Sequence, residues 1–146
     1  MGRKQSKFHR SATPHSLELQ RLHIQYRFPG FSYQRISGEA IWRGKLQPRE
    51  LSAVYELEVR YRLGKNPQVR VLSPPLVQKP PHVYPDGTLC LYWPKEWVWR
   101  GTCFIAETIL PWAALWLYYY ELWLDTGRWL GPSSHDQSSA QTMKQR

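Results

Sequence analysis

The uncharged run TILPWAALWLYYY, residues 108–120, constrains the fold of this chain more than any other feature. A helix that spans a membrane needs about 20 apolar residues, whereas this run is shorter and is flanked by Glu107 and Glu121. Its periodicity predicts a helix that is apolar all round and ends at Gly127. We therefore expect one face of this helix in the core of the domain and the other face available to a partner.

The predicted helix begins near Pro111, and its two faces differ in composition. Seven of the eight tryptophans of the chain lie between Trp93 and Trp129, so the unusual packing is expected in the C-terminal third. One face is aromatic and the other is aliphatic. The aromatic face carries Trp112, Trp116, Tyr119 and Trp123, and the aliphatic face carries Ala113, Leu117 and Leu124.

Three runs ahead of this helix alternate apolar and polar residues, which predicts a β-sheet. They read SYQRISGEAIWRGKL, AVYELEVRYRLG and QVRVLSPP, with glycines and a proline between them. The pattern predicts a meander of about four antiparallel strands. The apolar positions of the later strands are Val54, Leu57, Val59, Tyr61, Val69 and Val71.

Residues 16–28, SLELQRLHIQYRF, predict one helix before the sheet. Ser16 is expected to cap its N-terminus, and the Pro29-Gly30 pair ends it. Its apolar side chains at helical spacing are Leu19, Leu22, His23 and Tyr26.

A length of 146 residues fits one domain, and a formal net charge of +9 predicts an acidic partner. We expect a basic flexible tail over residues 1–15, a domain over residues 16–131 and a disordered tail over residues 132–146. The first tail is either merely solvated or docks a partner, and the second is either solvated or folds back toward the proline-rich loop. The residues in question are Arg3, Lys4, Lys7 and Arg10 in the first tail, and His135 and Asp136 in the second.

Two cysteines, Cys90 and Cys103, are too few for a disulfide framework, and no apolar leader opens the sequence. We therefore expect a cytoplasmic protein in which both thiols are free. The histidines and cysteines lack zinc spacing, and the chain has no glycine-rich phosphate loop. We expect no metal, no cofactor and no activation of an acyl group with ATP by this chain alone.

The order of the predicted elements resembles the α+β fold of ubiquitin-conjugating (UBC) enzymes. In that order a helix and a four-stranded meander precede a proline-rich loop over residues 74–86, a cysteine and an aromatic-rich C-terminal helix. The run NPQVRVLSPP is similar to the fourth strand of that family, and VYPDGTLCL, residues 83–91, is similar to the segment that ends in its thioester-forming cysteine. The resemblance covers about a hundred residues and implies that Cys90 forms the thioester.

Departures from the eukaryotic pattern indicate a bacterial branch. The His-Pro-Asn triplet of that pattern reads Pro80-Pro81-His82 here, with His82 in the position of the asparagine. With its aromatic helix, the chain resembles the short ubiquitin-conjugating-like proteins of type II CBASS (cyclic-oligonucleotide-based signalling) anti-phage operons. That resemblance implies a transferase that carries the C-terminus of a cGAS-like nucleotidyltransferase through a cysteine to an amine, including lysines of target proteins. It also implies that this modification raises second-messenger synthesis.

Four residues are candidates for this chemistry, and each also has a structural interpretation. Cys90 is either the acyl carrier or a small buried residue, and Cys103 either exchanges an acyl group with it or lies in the core. His82 either donates a hydrogen bond to the tetrahedral oxyanion, a contribution of roughly 3 kcal/mol, or holds the loop. Asp86 either orients or deprotonates an incoming lysine or forms the Asp-Gly turn. Tyr84 supports the loop or lines the acyl channel.

Two other functions compete with the transferase. A conjugating-like module without turnover would clamp the nucleotidyltransferase through its aromatic helix, but such a module needs no cysteine in DGTLC. A nucleic-acid binder would account for the positive charge and the aromatic residues. It is disfavoured because the basic residues cluster in the N-terminal tail, far along the sequence from the aromatic ones.

Overall fold

Two helices and one four-stranded antiparallel sheet make up the computed structural model, which describes residues 12–132. The sheet has the order β1-β2-β3-β4, so each strand pairs with its neighbour in sequence. This arrangement confirms the predicted α+β class and the four-stranded meander. The elements are α1 Leu17–Arg27, β1 Ser32–Ile36, β2 Glu39–Leu46, β3 Tyr55–Tyr61, β4 Gln68–Ser73 and α2 Ile109–Thr126.

The inner face of the sheet forms the centre of the core. Trp42, Val59 and Val69 lie side by side across β2, β3 and β4, and all three are buried. The prediction that Leu57, Val59, Tyr61 and Val69 point inward is therefore confirmed. Val54 was expected on this face as well, but it is half exposed. It precedes β3 and lies one residue out of phase with the inward positions, and Tyr55 is buried instead.

Helix α1 begins where predicted, because the Ser16 hydroxyl accepts a hydrogen bond from the Leu19 amide at 3.1 Å. Of the four apolar positions at helical spacing, His23 alone is half-buried, with its ring stacked on that of Phe104 at 3.5 Å. The buried residues are Leu17, Gln20 and Ile24, whereas Leu19, Leu22 and Tyr26 are exposed.

The buried Gln20 explains this rotation of α1. Its amide donates to the Cys103 carbonyl at 2.8 Å, and its carbonyl oxygen accepts from the Ile105 amide at 3.0 Å. A segment that runs through the interior must have its backbone polar groups paired, and one glutamine side chain pairs two of them. Apolar periodicity alone does not reveal a polar residue in this role.

The buried side of helix α2 combines residues from both predicted faces, the aromatic one and the aliphatic one. Ala113 and Leu117 of the aliphatic face are buried, but Leu124 of the same face is half exposed near the end of the helix. Trp116 from the aromatic face is buried, together with Tyr120. The remaining aromatic side chains of the predicted face, Trp112, Tyr119 and Trp123, are half-buried.

A carboxylate on α2 ties this helix to the sheet. Glu121 accepts hydrogen bonds from the hydroxyls of Ser52 at 2.5 Å and Tyr55 at 3.1 Å, and from the Arg49 guanidinium at 3.4 Å. Burial raises the pKa of Tyr55, and the charge and hydrogen bond of Glu121 raise it further. The phenol of Tyr55 therefore stays protonated as a donor, which fixes the rotation of α2 about its axis.

Gly44 on β2 offers a test of this packing. A Cβ at this position would overlap the ring of Phe31, whereas a Cβ at Gly30 would meet nothing within 4 Å. We expect Gly44→Ala to lower the free energy of unfolding by about 1–3 kcal/mol, the usual cost of overpacking a core. Gly30→Ala is the matched control and should change it by less than about 1 kcal/mol. Urea denaturation of the two variants measures this difference, and equal midpoints would contradict the close approach of Phe31.

Candidate active site

A short turn sets the position of Cys90. Val83 and Leu89 form an antiparallel bridge, and the Tyr84 amide donates to the Thr88 carbonyl at 2.8 Å. Leu89 is buried, and its amide donates to the Val69 carbonyl of β4 at 2.9 Å. The turn is therefore anchored to the sheet, and Cys90 follows it on a fixed backbone.

Asp86 forms the turn that precedes Cys90. Its Oδ1 accepts from the Thr88 amide at 2.9 Å and from the Thr88 hydroxyl at 2.6 Å, and Gly87 follows with φ of 87°. The hydrogen bonds from the Thr88 hydroxyl and amide lower the pKa of Asp86 below its ordinary value. The turn interpretation thus has direct contacts, whereas a role of Asp86 toward an incoming amine stays a prediction.

The thiol of Cys90 lies between two tyrosines. Its sulfur is 3.5 Å from the Tyr84 hydroxyl and 3.6 Å from the Tyr92 carbonyl oxygen. The hydrogen bond with Cys90, followed by burial, raises the pKa of Tyr84 to about 12, and burial also raises the pKa of Tyr92. The Tyr84 phenol is therefore protonated at neutral pH. It accepts from the thiol and, once the thiol is ionised, can donate to the thiolate.

His82 adopts an uncommon backbone conformation, with φ of 56° in the left-handed region. Its carbonyl oxygen accepts two hydrogen bonds, from the Cys90 amide at 2.9 Å and from the Trp116 indole of α2 at 3.0 Å. Its ring packs against that of Trp129, with centroids 4.8 Å apart. His82 and Cys90 line the same groove, so the structure brings these two candidates together. The role of the imidazole toward an oxyanion stays a prediction.

An aromatic groove with a volume of about 370 Å³ includes Cys90 and His82 in its lining. Its walls come from α2, from residues 91–97 and from the segment that follows α2. The rings form two contact groups. Tyr92 packs on Trp97 with centroids 4.7 Å apart and Trp97 on Trp112 at 4.8 Å, and separately Trp116 packs on Trp129 at 5.6 Å. No local sequence pattern predicts a role for Trp129. One sequence feature could have indicated this role. Trp129 lies two residues after the Gly127 cap, where the chain can reverse and pack back along α2.

Cys103 is not among the residues that line this groove. Its amide donates to the Arg100 carbonyl at 2.8 Å, and its half-buried side chain packs against the core. Both cysteines are free thiols. The contacts of Cys103 favour the core interpretation, and acyl exchange with Cys90 stays a prediction.

The predicted roles of the tails concern residues that the structure does not describe. Arg3, Lys4, Lys7, Arg10, His135 and Asp136 all lie outside residues 12–132. Within that range, no three His, Cys, Asp or Glu side chains are grouped so that they could hold a metal ion. Neither described helix is long and apolar enough to cross a membrane.

The fold and the position of the cysteine define a class of protein. A four-stranded meander between two helices, with a cysteine after a turn that is anchored to the fourth strand, is compatible with a UBC-like fold. Comparison with protein families then gives the particular one. The family described as Type II CBASS E2 protein matches residues 20–136, so the chain belongs to the E2-like proteins of type II CBASS systems. A search of curated proteins found no match.

Substitution of Thr88 tests the turn that presents Cys90. Thr88→Val removes the 2.6 Å hydroxyl hydrogen bond to Asp86, so we expect the pKa of Asp86 to rise toward its ordinary value. A lowered pKa stabilises the fold above the pKa of the unfolded carboxyl, and this contribution is lost as the pH falls through the folded value. Between neutral and acidic pH, the free energy of unfolding of the variant should therefore fall by less than that of the wild-type protein.

NMR titration of the Asp86 carboxyl, together with denaturation at several pH values, measures both effects. Thr108→Val is the control, because that hydroxyl bonds the Phe104 carbonyl at 2.8 Å on another part of the chain. An unchanged Asp86 titration in Thr88→Val would show that the hydroxyl does not hold the turn.

Proposed function

We propose that this protein is a cysteine-dependent acyl transferase in which Cys90 carries the C-terminus of a partner polypeptide as a thioester. The observation that carries the proposal is that Cys90 lines an open groove, with its sulfur 3.5 Å from a tyrosine hydroxyl that stays protonated. A carrier thiol must be reachable by a macromolecular acyl group and must leave readily when an amine attacks. A half-buried cysteine with a hydrogen-bond donor beside it is suited to both requirements.

The reaction proceeds in two transfers. The Cys90 thiolate attacks the donor carbonyl, the S–C bond forms, and the bond to the original leaving group breaks. An amine then attacks the thioester carbonyl, the C–S bond breaks, the thiolate returns, and the amine loses a proton to solvent or a base. Both steps pass through a tetrahedral oxyanion that a nearby donor stabilises.

The side chains around Cys90 have separate roles in this scheme. Tyr84 donates to the thiolate each time it forms, which favours it as a leaving group. His82, which lines the same groove as Cys90, donates to the oxyanion. Asp86 holds the turn, and its free carboxyl oxygen could orient the incoming amine.

The partner we propose is the cGAS-like nucleotidyltransferase of the same CBASS system, whose C-terminus is the acyl cargo. Membership of the type II CBASS family supports this choice. Transfer to a lysine would regulate second-messenger synthesis in anti-phage defence. The free thiols of Cys90 and Cys103 fit the reduced cytoplasmic setting that this proposal assumes.

The origin of the acyl energy has two candidate sources. A separate activating enzyme would deliver the donor as a thioester, or Cys90 would attack a peptide bond near the C-terminus of the partner directly. The chain has no glycine-rich phosphate loop, so it is not expected to activate a carboxylate with ATP itself.

A second candidate is a binding module that clamps the nucleotidyltransferase without turnover. The observation that favours it is the aromatic groove, which could hold a partner whether or not Cys90 reacts. The two candidates differ in whether a covalent adduct forms.

Cys90→Ala should abolish every covalent adduct with the partner, since no sulfur remains to form the thioester. Cys103→Ala is the matched control and should leave adduct formation intact, because this cysteine does not line the groove. Intact mass of the protein purified with its operon partners, with and without thiol reductant, is the measurement. Reductant-sensitive adducts in Cys90→Ala but not in Cys103→Ala would overturn the assignment, and no adducts in any variant would favour the binding module.

His82→Gly isolates the role of the imidazole. Glycine accepts the left-handed backbone of position 82 without strain, so the fold should be retained while the ring is lost. If the ring stabilises the oxyanion, single-turnover transfer should fall by roughly 100-fold or more, and His82→Asn should recover much of it. Thermal unfolding of each variant is the control for the fold. A wild-type rate in His82→Gly would make the histidine structural.

A further inference from the structure

The groove beside Cys90 has a composition that selects its occupant. We propose that it binds the C-terminal segment of the acyl donor through apolar side chains close to the residue that becomes acylated to Cys90. This inference rests on the proposed function, and it adds a sequence preference for the cargo. It predicts a donor whose last few residues are apolar and uncharged.

Apolar surface dominates the groove. Trp97, Trp112, Trp116 and Trp129 supply rings to its walls, and Leu115 of α2 also lines it, with half of its surface exposed. A volume of about 370 Å³ lies in the range of pockets that hold small ligands and has room for a few side chains, but not for a folded domain. The occupant is therefore a short extended segment of a polypeptide chain.

The position of the nucleophile identifies which segment this is. Cys90 itself lines the groove, so the acyl carbon attached to its sulfur lies next to the groove. A chain extends at most about 3.6 Å per residue, so the residues that enter the groove are the few that directly precede the acylated one. No other part of the cargo is held there by the covalent bond.

The charges that line the groove restrict the sequence of the donor segment further. Among the described residues that line the groove, Glu96 is the one acidic side chain, and none is lysine or arginine. Acidic side chains next to the acylated residue would meet both Glu96 and an apolar wall, and burying an unpaired charge is costly. The overall charge of +9 therefore attracts an acidic partner through other parts of the surface.

Synthetic peptide thioesters test this preference without the natural donor. The probes are hexapeptides that end in a glycine thioester of a small aliphatic thiol, with two leucines, two tryptophans, two aspartates or two lysines before the glycine. The Cys90 thiolate attacks the carbonyl, the new S–C bond forms, and the small thiolate leaves. Intact mass over time gives the second-order rate constant of Cys90 acylation for each probe.

The leucine and tryptophan probes should react roughly 10- to 100-fold faster than the aspartate probe, which corresponds to the burial of one large apolar side chain. Leu115→Arg should remove most of this preference. Leu124→Arg is the matched control, because Leu124 is an equally exposed leucine of α2 that lies outside the groove. Alkylation of Cys90 by iodoacetamide should be equal in both variants, which shows that the thiol itself is undisturbed.

The outcomes separate the two proposals. Acylation of Cys90 at equal rates by all four probes would overturn the groove preference and leave the transferase standing. Faster reaction of the aspartate probe would likewise overturn it. If no probe acylates Cys90 while iodoacetamide does, the proposed function fails, and the preference fails with it.

Discussion

The hydrogen bond from the Trp116 indole to the His82 carbonyl, 3.0 Å long, is the contact on which the rest of the site depends. It joins α2 to the segment that precedes Cys90, two parts of the chain with no common strand or turn. The same carbonyl accepts from the Cys90 amide, so one oxygen fixes the helix, the histidine and the cysteine relative to one another. Removing one partner of a partly buried hydrogen bond lowers stability most, because the other partner is left buried and unpaired.

The orientation of α2 is set at two points along the helix by polar contacts rather than by apolar packing alone. Glu121 bonds Ser52 and Tyr55 near one end, and Trp116 bonds His82 near the middle. A helix that is apolar all round could rotate about its axis at little cost in buried area, because each rotation exposes and buries similar surface. These directional hydrogen bonds choose one rotation, and that rotation leaves Trp112 and Leu115 facing the groove.

Much of the fold could be predicted from the sequence, because the alternating strands, the Ser16 cap and the Gly127 stop are local signals. Which face of each helix is buried could not be predicted, because Gln20 and Glu121 are polar residues whose buried partners lie far along the chain. For the site, the position of Cys90 after an Asp-Gly turn follows from nine consecutive residues. The groove depends on rings from three separate segments, and no local pattern indicates that they meet.

The left-handed backbone at position 82 gives a structural reason for a histidine there, apart from any catalytic role. Among residues other than glycine, asparagine, aspartate and histidine are the ones most often found with positive φ. His82 therefore suits this backbone whatever its side chain does, and an asparagine substituted at position 82 would suit it as well. An alanine there would combine the loss of a donor with backbone strain of roughly 1–2 kcal/mol. A glycine removes both the ring and any side-chain donor without that strain, so the backbone and the chemistry of His82 can be measured apart.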